Sequence, residues 1–422
     1  MLETAVAPLK VQQVQRQELT RPGDGLLYAG FAIFALATLT VGRATDRVWA
    51  VWAAPTYVAA ALTCLLLDRL GRRTPTRAWL AALVIGGALI APLAQLILTG
   101  HAKSEVAGVE RAAAHLLGAG AVYPSGAELS AAVQQWGYEA YFPYLPVMAL
   151  FGIPDVLTGG ARLADPRVAF SLAYLGCLAI IVDTARRENR GRLWLLLAAS
   201  PLAASPLVTG GDDLPVVGLM LCALVLASRD RSGWAGFLLG LACAAKALAW
   251  PLLPVLVAAT FVRRGSRAAA AMLSCGLLAP VLTLVPMLVV EPSGLVTHVL
   301  RYPTGLESAP TVAASPLPGY LLAHWMPGGR LCAIGLLLAT AAAMGLRLLI
   351  RPPRDEAGAA KYAALGLTLA TLLAPGTRTG YLMYPLMLVL VAWYCLGGGG
   401  RPQNEQGQGG RDTSLELATS PR

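Results

Sequence analysis

Apolar runs of membrane length recur along almost the whole chain and are separated by short polar stretches. About 20 apolar residues in a helix are enough to cross a bilayer, and only helices or closed barrels satisfy their backbone groups there. We therefore predict an all-α protein, a polytopic transmembrane helical bundle of about twelve spans. These spans lie near residues 26–42, 48–67, 78–99, 168–185, 193–209, 214–227, 234–248, 250–262, 269–290, 330–350, 362–374 and 381–396.

The same pattern divides the chain into three parts. Residues 26–396 are predicted to form one transmembrane domain, preceded by a polar N-terminal segment, 1–25. Residues 397–422 are rich in Gly, Gln, Ser and Arg, a composition typical of disorder, so we expect a disordered tail.

Composition supports a membrane protein and excludes several other classes. Hydrophobic residues make up 56% of the chain and charged residues only 13%. The seven cysteines fall inside apolar runs without metal-ligand or redox spacing, so we expect them to be small hydrophobic residues. The net charge of +10 is distributed between two sides of a membrane, and no nucleic-acid partner is expected.

Arginine-rich connections predict how the bundle is oriented. The positive-inside rule assigns short basic loops to the cytoplasm; here these are residues 68–77, 186–192, 229–231, 263–267 and 351–354. With twelve spans, both termini are then cytoplasmic, and the long loops 100–167 and 291–329 lie outside. Only the outer side has enough chain to build a site. We therefore expect a multi-pass protein of the cell membrane with an extracytoplasmic active site.

Three charged residues lie at the ends of predicted spans on that outer side. Asp212 and Asp213 begin one span, and Lys246 ends another, next to the Trp250-Pro251 break. Such charges are costly unless they face water, protein or a charged ligand. One aspartate is enough to cap a helix, which leaves the other to bind a metal, a basic partner or a substrate hydroxyl. Lys246 either extends to the interface or holds a phosphate.

The first long loop supplies two further carboxylates. Val106, Val109 and Ala113 follow helical spacing, which predicts an amphipathic helix on the membrane surface. Glu105 borders its apolar stripe on one edge and Glu110 on the other. Periodicity does not choose between them, and both could be the solvated rim of an interfacial helix.

Other candidates on the outer side have ordinary structural explanations as well. Tyr144 lies in an aromatic segment that either marks the interface or lines a lipid or sugar groove, and Asp165 either caps a span or contributes to a site. Arg378 and Arg301 could hold phosphate oxygens with bidentate hydrogen bonds. His298 is a lone histidine, for which a surface role is the default.

Six short motifs occur in a fixed order between residues 100 and 385. They are Glu105-Val-Ala-Gly-Val-Glu-Arg-Ala, Phe142-Pro-Tyr-Leu-Pro, Asp165-Pro-Arg167, Gly211-Asp-Asp-Leu-Pro215, Lys246 with Trp250-Pro251, and Arg378-Thr-Gly-Tyr381 with Tyr384-Pro385. In this order the chain resembles the GT-C glycosyltransferases, and among them the actinobacterial mannosyltransferases that use polyprenyl-phosphate-mannose.

The resemblance implies an inverting transfer of a sugar, with mannose expected, from a polyprenyl-phosphate donor to a glycan or glycolipid acceptor. A carboxylate acts as base, and Glu105 matches its motif position, with Glu110 and Asp46 as alternatives. The resemblance assigns substrate binding to the residues Asp212, Asp213, Lys246, Arg378, Arg301, His298, Asp165 and Tyr144. No residue is assigned to a metal, and the need for a divalent cation stays open.

Two other functions compete with this one. A transporter or lipid flippase is the main alternative, but such proteins show internal repeats and charges in the middle of the membrane. Here no repeat is evident, and the candidate residues gather on one side. A noncatalytic scaffold is the third hypothesis, and it predicts no dependence on Glu105.

Overall fold

The computed structural model describes residues 23–70, 77–307, 309 and 313–396. Every regular element within these ranges is helical, as predicted. The predicted N-terminal segment, up to residue 22, and the predicted disordered tail, 397–422, lie outside the described residues.

The described part of the chain forms nineteen α-helices, some of them continued by π-helical or 3-10 turns. Their bounds are α1 Asp24–Val41, α2 Ala44–Arg69, α3 Arg77–Ile85, α4 Ala91–Thr99, α5 Ser104–Ala119, α6 Gly126–Trp136, α7 Ile153–Thr158, α8 Pro166–Thr184, α9 Arg187–Trp194, α10 Pro201–Thr209, α11 Asp213–Ser228, α12 Ser232–Ala245, α13 Leu252–Arg264, α14 Ser266–Val290, α15 Pro292–Val296, α16 Pro318–Trp325, α17 Gly329–Ile350, α18 Glu356–Leu373 and α19 Met383–Val391.

Fewer helices are long and apolar enough to span a membrane than the twelve spans predicted from the sequence. Eight stretches of the described chain are long and apolar enough to cross a bilayer, or nine if the bent pair Asn189–Ala199 and Pro201–Thr209 is one span. The twelve predicted crossings are therefore not confirmed. The clearest difference is at α11 and α12, which have 16 and 14 residues. At 1.5 Å per residue they reach only about 21–24 Å, less than the ~30 Å hydrocarbon core.

The two short helices α11 and α12 form the centre of the main hydrophobic core. Helix α12 packs closely along α14 because glycines line the contact. A Cβ atom on Gly236 would lie 2.1 Å from the Met272 carbonyl oxygen, and one on Gly240 would lie 2.4 Å from that of Gly276. Small residues four positions apart are typical of such close helix pairs in membranes.

A second core joins the N-terminal helices to α10 and to the π-turn before it. Two buried aromatic side chains tie it together. The Trp49 indole donates a hydrogen bond to the Ala88 carbonyl (2.9 Å), and the Tyr57 hydroxyl donates to that of Ala199 (2.5 Å).

The predicted amphipathic helix is present as α5. Its buried side consists of Val106, Val109, Ala112 and Ala113, close to the predicted stripe. Leu117, which continues the same helical spacing in the sequence, is 48% exposed and lies outside this buried side.

The apolar run after residue 146 does not form a spanning helix. It forms a 3-10 helix, Pro146–Gly152, that leads into α7 and packs against α5. Gly152 allows this contact, because a Cβ atom there would lie 2.6 Å from the Val109 carbonyl oxygen.

Candidate functional site

An ion pair at the start of α5 joins two residues that lie far apart in the sequence. Glu105 lies in the first turn of α5, and Arg378 lies just before the 3-10 turn Thr379–Leu382. The Arg378 Nη1 atom donates to Glu105 Oε1 at 2.5 Å, across 273 residues of sequence. The Glu105 side chain is only 10% exposed.

This ion pair leaves two polar atoms without partners. Glu105 Oε2 and Arg378 Nε are buried and have no hydrogen-bond partner among the described residues. A buried polar atom without a partner costs about 1–3 kcal/mol, so each of these two atoms needs an explanation that the ion pair itself does not supply.

Each member of the pair stabilises the charged form of the other. Burial alone would raise the pKa of Glu105, but the charge and hydrogen bond of Arg378 outweigh it and hold this pKa below its usual value. Burial would lower the pKa of Arg378, and Glu105 raises it instead. Both groups are therefore ionised at neutral pH.

A second group of charges surrounds Lys246, which lies in the break between α12 and the 3-10 turn Ala247–Ala249. Its Nζ atom donates to Asp212 Oδ2 at 3.0 Å and to Asp213 Oδ1 at 2.6 Å. The Tyr384 hydroxyl also donates to Asp213 Oδ1, at 2.6 Å. The sequence predicted the break at Trp250-Pro251, whereas α12 ends earlier, at Ala245. Lys246 has an extended backbone there, which turns the buried lysine toward the start of α11.

Helix capping does not explain these two aspartates. Asp212 stands at the N-cap position of α11, yet its side chain makes no capping hydrogen bond. Both carboxylates bind Lys246 instead, and Lys246 and Asp212 are almost fully buried. A buried ion pair of this kind requires good geometry and extra hydrogen bonds, which Tyr384 supplies.

Two tyrosine rings lie beside Lys246 and connect it to the first ion pair. The ammonium is 4.9 Å from the centroid of the Tyr144 ring and 5.6 Å from that of Tyr381. Tyr381 follows Arg378 by three residues in the same turn. The backbone next to Tyr144 is fixed against the end of α12, because the Leu145 amide donates to the Ala245 carbonyl at 3.0 Å. We call Glu105, Arg378, Asp212, Asp213 and Lys246 the charged cluster.

The structure thus brings together most of the charged residues predicted on this side. Sequence reasoning gave no role to Tyr381 and Tyr384, although both stand in a quoted motif. Their spacing of three residues places them on one side of a helical turn, which is the signal that could have identified them. The sequence left Lys246 either extending to the interface or holding a phosphate, and in the structure its ammonium binds the two carboxylates.

Asp165 lies near α5 and has a structural partner. It caps α8 through the Arg167 amide and accepts two hydrogen bonds from the Arg167 guanidinium, at 2.9 and 2.6 Å. Arg167 Nη1 in turn donates to the His101 carbonyl at 2.8 Å. The ordinary capping explanation therefore holds for Asp165, and its arginine fixes the loop that precedes Glu105.

The start of α5 has two further anchors. The Lys103 amide donates to the Thr209 carbonyl at 3.2 Å, and the Lys103 ammonium binds Asp46 at 2.8 Å. Asp46, which the sequence offered as an alternative base, is therefore paired with Lys103, the residue two positions before Glu105.

Glu110 lies on a different side of α5 from Glu105. It lines a cavity of about 680 Å³ together with Lys103, Asp155 and Arg167. Burial, followed by the charges of Asp155 and Asp165, raises the pKa of Glu110 to about 7.

His298 and Arg301 are not brought into the charged cluster. His298 is buried, and it accepts a hydrogen bond from the Phe142 amide at 2.8 Å and donates to the Pro124 carbonyl at 3.0 Å. Burial lowers the pKa of His298 to about 4, so the ring is neutral. Its two hydrogen bonds connect the backbone at Phe142 with that at Pro124. Arg301 binds Glu307 at 2.6 Å and is half-exposed.

No group of three or more His, Cys, Asp or Glu residues in the described chain could hold a metal ion. The two adjacent aspartates supply only two carboxylates, and both already bind Lys246.

The family model of glycosyltransferase family 87 (GT87) matches residues 142–375. The match covers more than half of the chain and includes Asp212, Asp213 and Lys246, but it begins after Glu105 and ends before Arg378. No curated protein and no solved structure matches the chain.

Proposed function

The chain belongs to glycosyltransferase family 87, and on that premise we propose that it transfers a sugar, with mannose expected, from a polyprenyl-phosphate donor to a glycan or glycolipid acceptor. The apolar helices fit such a donor, because a polyprenyl chain resides in the bilayer and presents its phosphate at the interface.

In the proposed reaction, Glu105 takes the proton of an acceptor hydroxyl while the hydroxyl oxygen forms a bond to C1 of the donor sugar. The bond from C1 to the phosphate oxygen breaks, and its electron pair leaves with the polyprenyl phosphate. A single displacement of this kind inverts the anomeric carbon. Arg378 stabilises the charge that develops on the leaving phosphate.

The observation that carries the proposal is the pair of unpartnered atoms at the ion pair. Among the described residues, Glu105 Oε2 has no donor and Arg378 Nε has no acceptor. Because both atoms are buried, the proposal requires the site to open before an acceptor hydroxyl reaches Glu105 and a phosphate oxygen reaches Arg378. The ionised state of Glu105 also suits a base, since only the carboxylate can accept a proton.

The Lys246 group would serve this reaction by holding the adjacent residues in place. Asp213 is 20% exposed and is the better placed of the two aspartates to bind a sugar hydroxyl. Asp212 is 5% exposed and holds Lys246. Tyr144 fills the space between this group and the Glu105–Arg378 pair, while Asp165, through Arg167, positions α5.

The proposal includes a membrane topology. The arginine-rich loops support cytoplasmic termini and an extracytoplasmic site, in a bundle of the GT-C type. This orientation requires α11, α12 and α18 to cross the membrane with their flanking residues, in addition to the nine longer stretches. The acceptor would then be a glycan or glycolipid of the cell envelope, reached from the outer leaflet.

The experiment that tests the proposal measures transfer of radiolabelled mannose from polyprenyl-phosphate-mannose in membranes that contain the protein. Wild type should form a labelled glycoside. Glu105→Gln should be slower by about 10²–10⁴-fold, the usual contribution of a general base. Asp183→Asn, at an exposed position far along α8, serves as the matched control and should keep the wild-type rate.

Two results would overturn the proposal. Transfer by Glu105→Gln at the wild-type rate excludes this residue as base, and a simultaneous loss in Glu110→Gln would assign that role to Glu110. Movement of the labelled donor across the membrane without any new glycoside would favour the transporter hypothesis.

A further inference from the structure

A groove separates α5 from α6 and is distinct from the charged cluster. Its volume is about 400 Å³, within the range of small-ligand sites. Arg111 from α5, Glu128, Gln135 and Trp136 from α6, and Glu139 from the following turn line it.

The groove begins close to Glu105. Gly108 and Ala112 also line it, and they follow Glu105 by three and seven residues. In a helix, these spacings place all three on one side. At 1.5 Å per residue, Ala112 lies about 10 Å further along the axis than Glu105. Glu110, by contrast, lines the other cavity, which it shares with Asp155 and Arg167.

The chemistry of the groove fits a saccharide. A pyranose ring has apolar C–H faces and hydroxyls around its edge, so it needs a flat apolar surface with planar polar groups beside it. Trp136 is 41% exposed and supplies the flat surface. Gln135 and Glu128 are exposed and supply both donors and acceptors.

Arg111 holds the Trp136 ring and the backbone of Glu139 in a fixed arrangement. Its guanidinium carbon is 5.0 Å from the centroid of the Trp136 ring, and its Nη2 atom donates to the Glu139 carbonyl at 2.7 Å. Glu128 and Glu139 place two carboxylates in the groove against one guanidinium, that of Arg111, and the His115 ring that contacts Glu128 at 3.0 Å. This balance disfavours a phosphate, and charged side chains oppose a lipid tail.

We propose that this groove binds the saccharide portion of the acceptor, with the hydroxyl to be glycosylated directed toward Glu105. This inference rests on the proposed function for the identity of the ligand, but saccharide binding in the groove can be measured without any transfer.

The test measures equilibrium binding of tritiated oligosaccharides to the purified protein in nanodiscs. The probes are mannobiose, mannotriose and arabinobiose. Wild type should bind at least one of them. Trp136→Ala and Gln135→Ala should each weaken this binding by about tenfold, which corresponds to 1.4 kcal/mol. Trp136→Phe should restore most of it, and Trp325→Ala, at a tryptophan that is 77% exposed, should bind like wild type.

Three results would overturn the inference. They are no binding of any probe by wild type, binding that Trp136→Ala leaves unchanged, and binding that occurs in detergent but is lost when phospholipid is added, which would make the groove a lipid site. Glu105→Gln separates this inference from the proposed function. If that variant binds the probe normally yet transfers mannose at the wild-type rate, the assigned base is wrong and the groove remains. If it binds normally without transferring, both stand.

Discussion

Lys246 is the residue whose removal should reveal how the charged cluster is held together. Its ammonium lies within 3.0 Å of Asp212 and 2.6 Å of Asp213, and its side chain is only 8% exposed. Lys246→Met keeps the apolar stem but leaves two adjacent carboxylates without their cation. Breaking a buried pair from one side costs about 3–5 kcal/mol.

This loss can be converted into a melting temperature. An unfolding entropy of roughly 2.1 cal/mol/K per residue over the whole chain gives a shift of about 1 °C per kcal/mol. Lys246→Met should therefore melt at least about 3–5 °C below wild type. Thermal unfolding of the detergent-solubilised protein, followed by size-exclusion chromatography, measures the shift.

A double-mutant cycle identifies the cause. Asp212→Asn in the Lys246→Met background removes one uncompensated charge and should recover part of the lost stability, whereas Asp212→Asn in the wild type should destabilise. If Lys246→Met melts at or above the wild-type temperature, or if Asp212→Asn lowers the melting temperature equally in both backgrounds, Lys246 does not neutralise these aspartates.

Three further predictions concern catalysis. The acid limb of kcat/KM should lie below the usual glutamate pKa of 4.5, because Arg378 lowers the pKa of Glu105; a limb near pH 7 would instead indicate Glu110 as base. Arg378→Lys keeps the positive charge but loses the Nε atom and the planar guanidinium, so kcat should fall by about 10²-fold while the protein stays folded. An unchanged kcat would contradict the role of Arg378 at the phosphate. Arg167→Lys should weaken the hydrogen bond that fixes the loop at His101, and it should lower kcat about tenfold with little change in donor KM. A change in KM alone would contradict the idea that Arg167 positions Glu105.

The helices themselves could be predicted from the sequence because each depends on residues close together in the chain. An apolar run must satisfy its backbone hydrogen bonds internally, which makes it a helix wherever it lies. The number of spans could not be predicted in the same way. Helices α11 and α12 are as apolar as their neighbours, but they are buried among other helices and too short to cross alone.

The sequence by itself also placed charged residues at or near the ends of predicted spans, where they are costly without a partner, and it identified Glu105, Lys246 and Arg378 as candidates. Only the tertiary structure decided which charges are partners. Glu105 meets Arg378 across 273 residues, and Lys246 meets both aspartates rather than a free space for phosphate. Ion pairs depend on distances of a few ångström between side chains, and residue order does not fix such distances until the helices have packed.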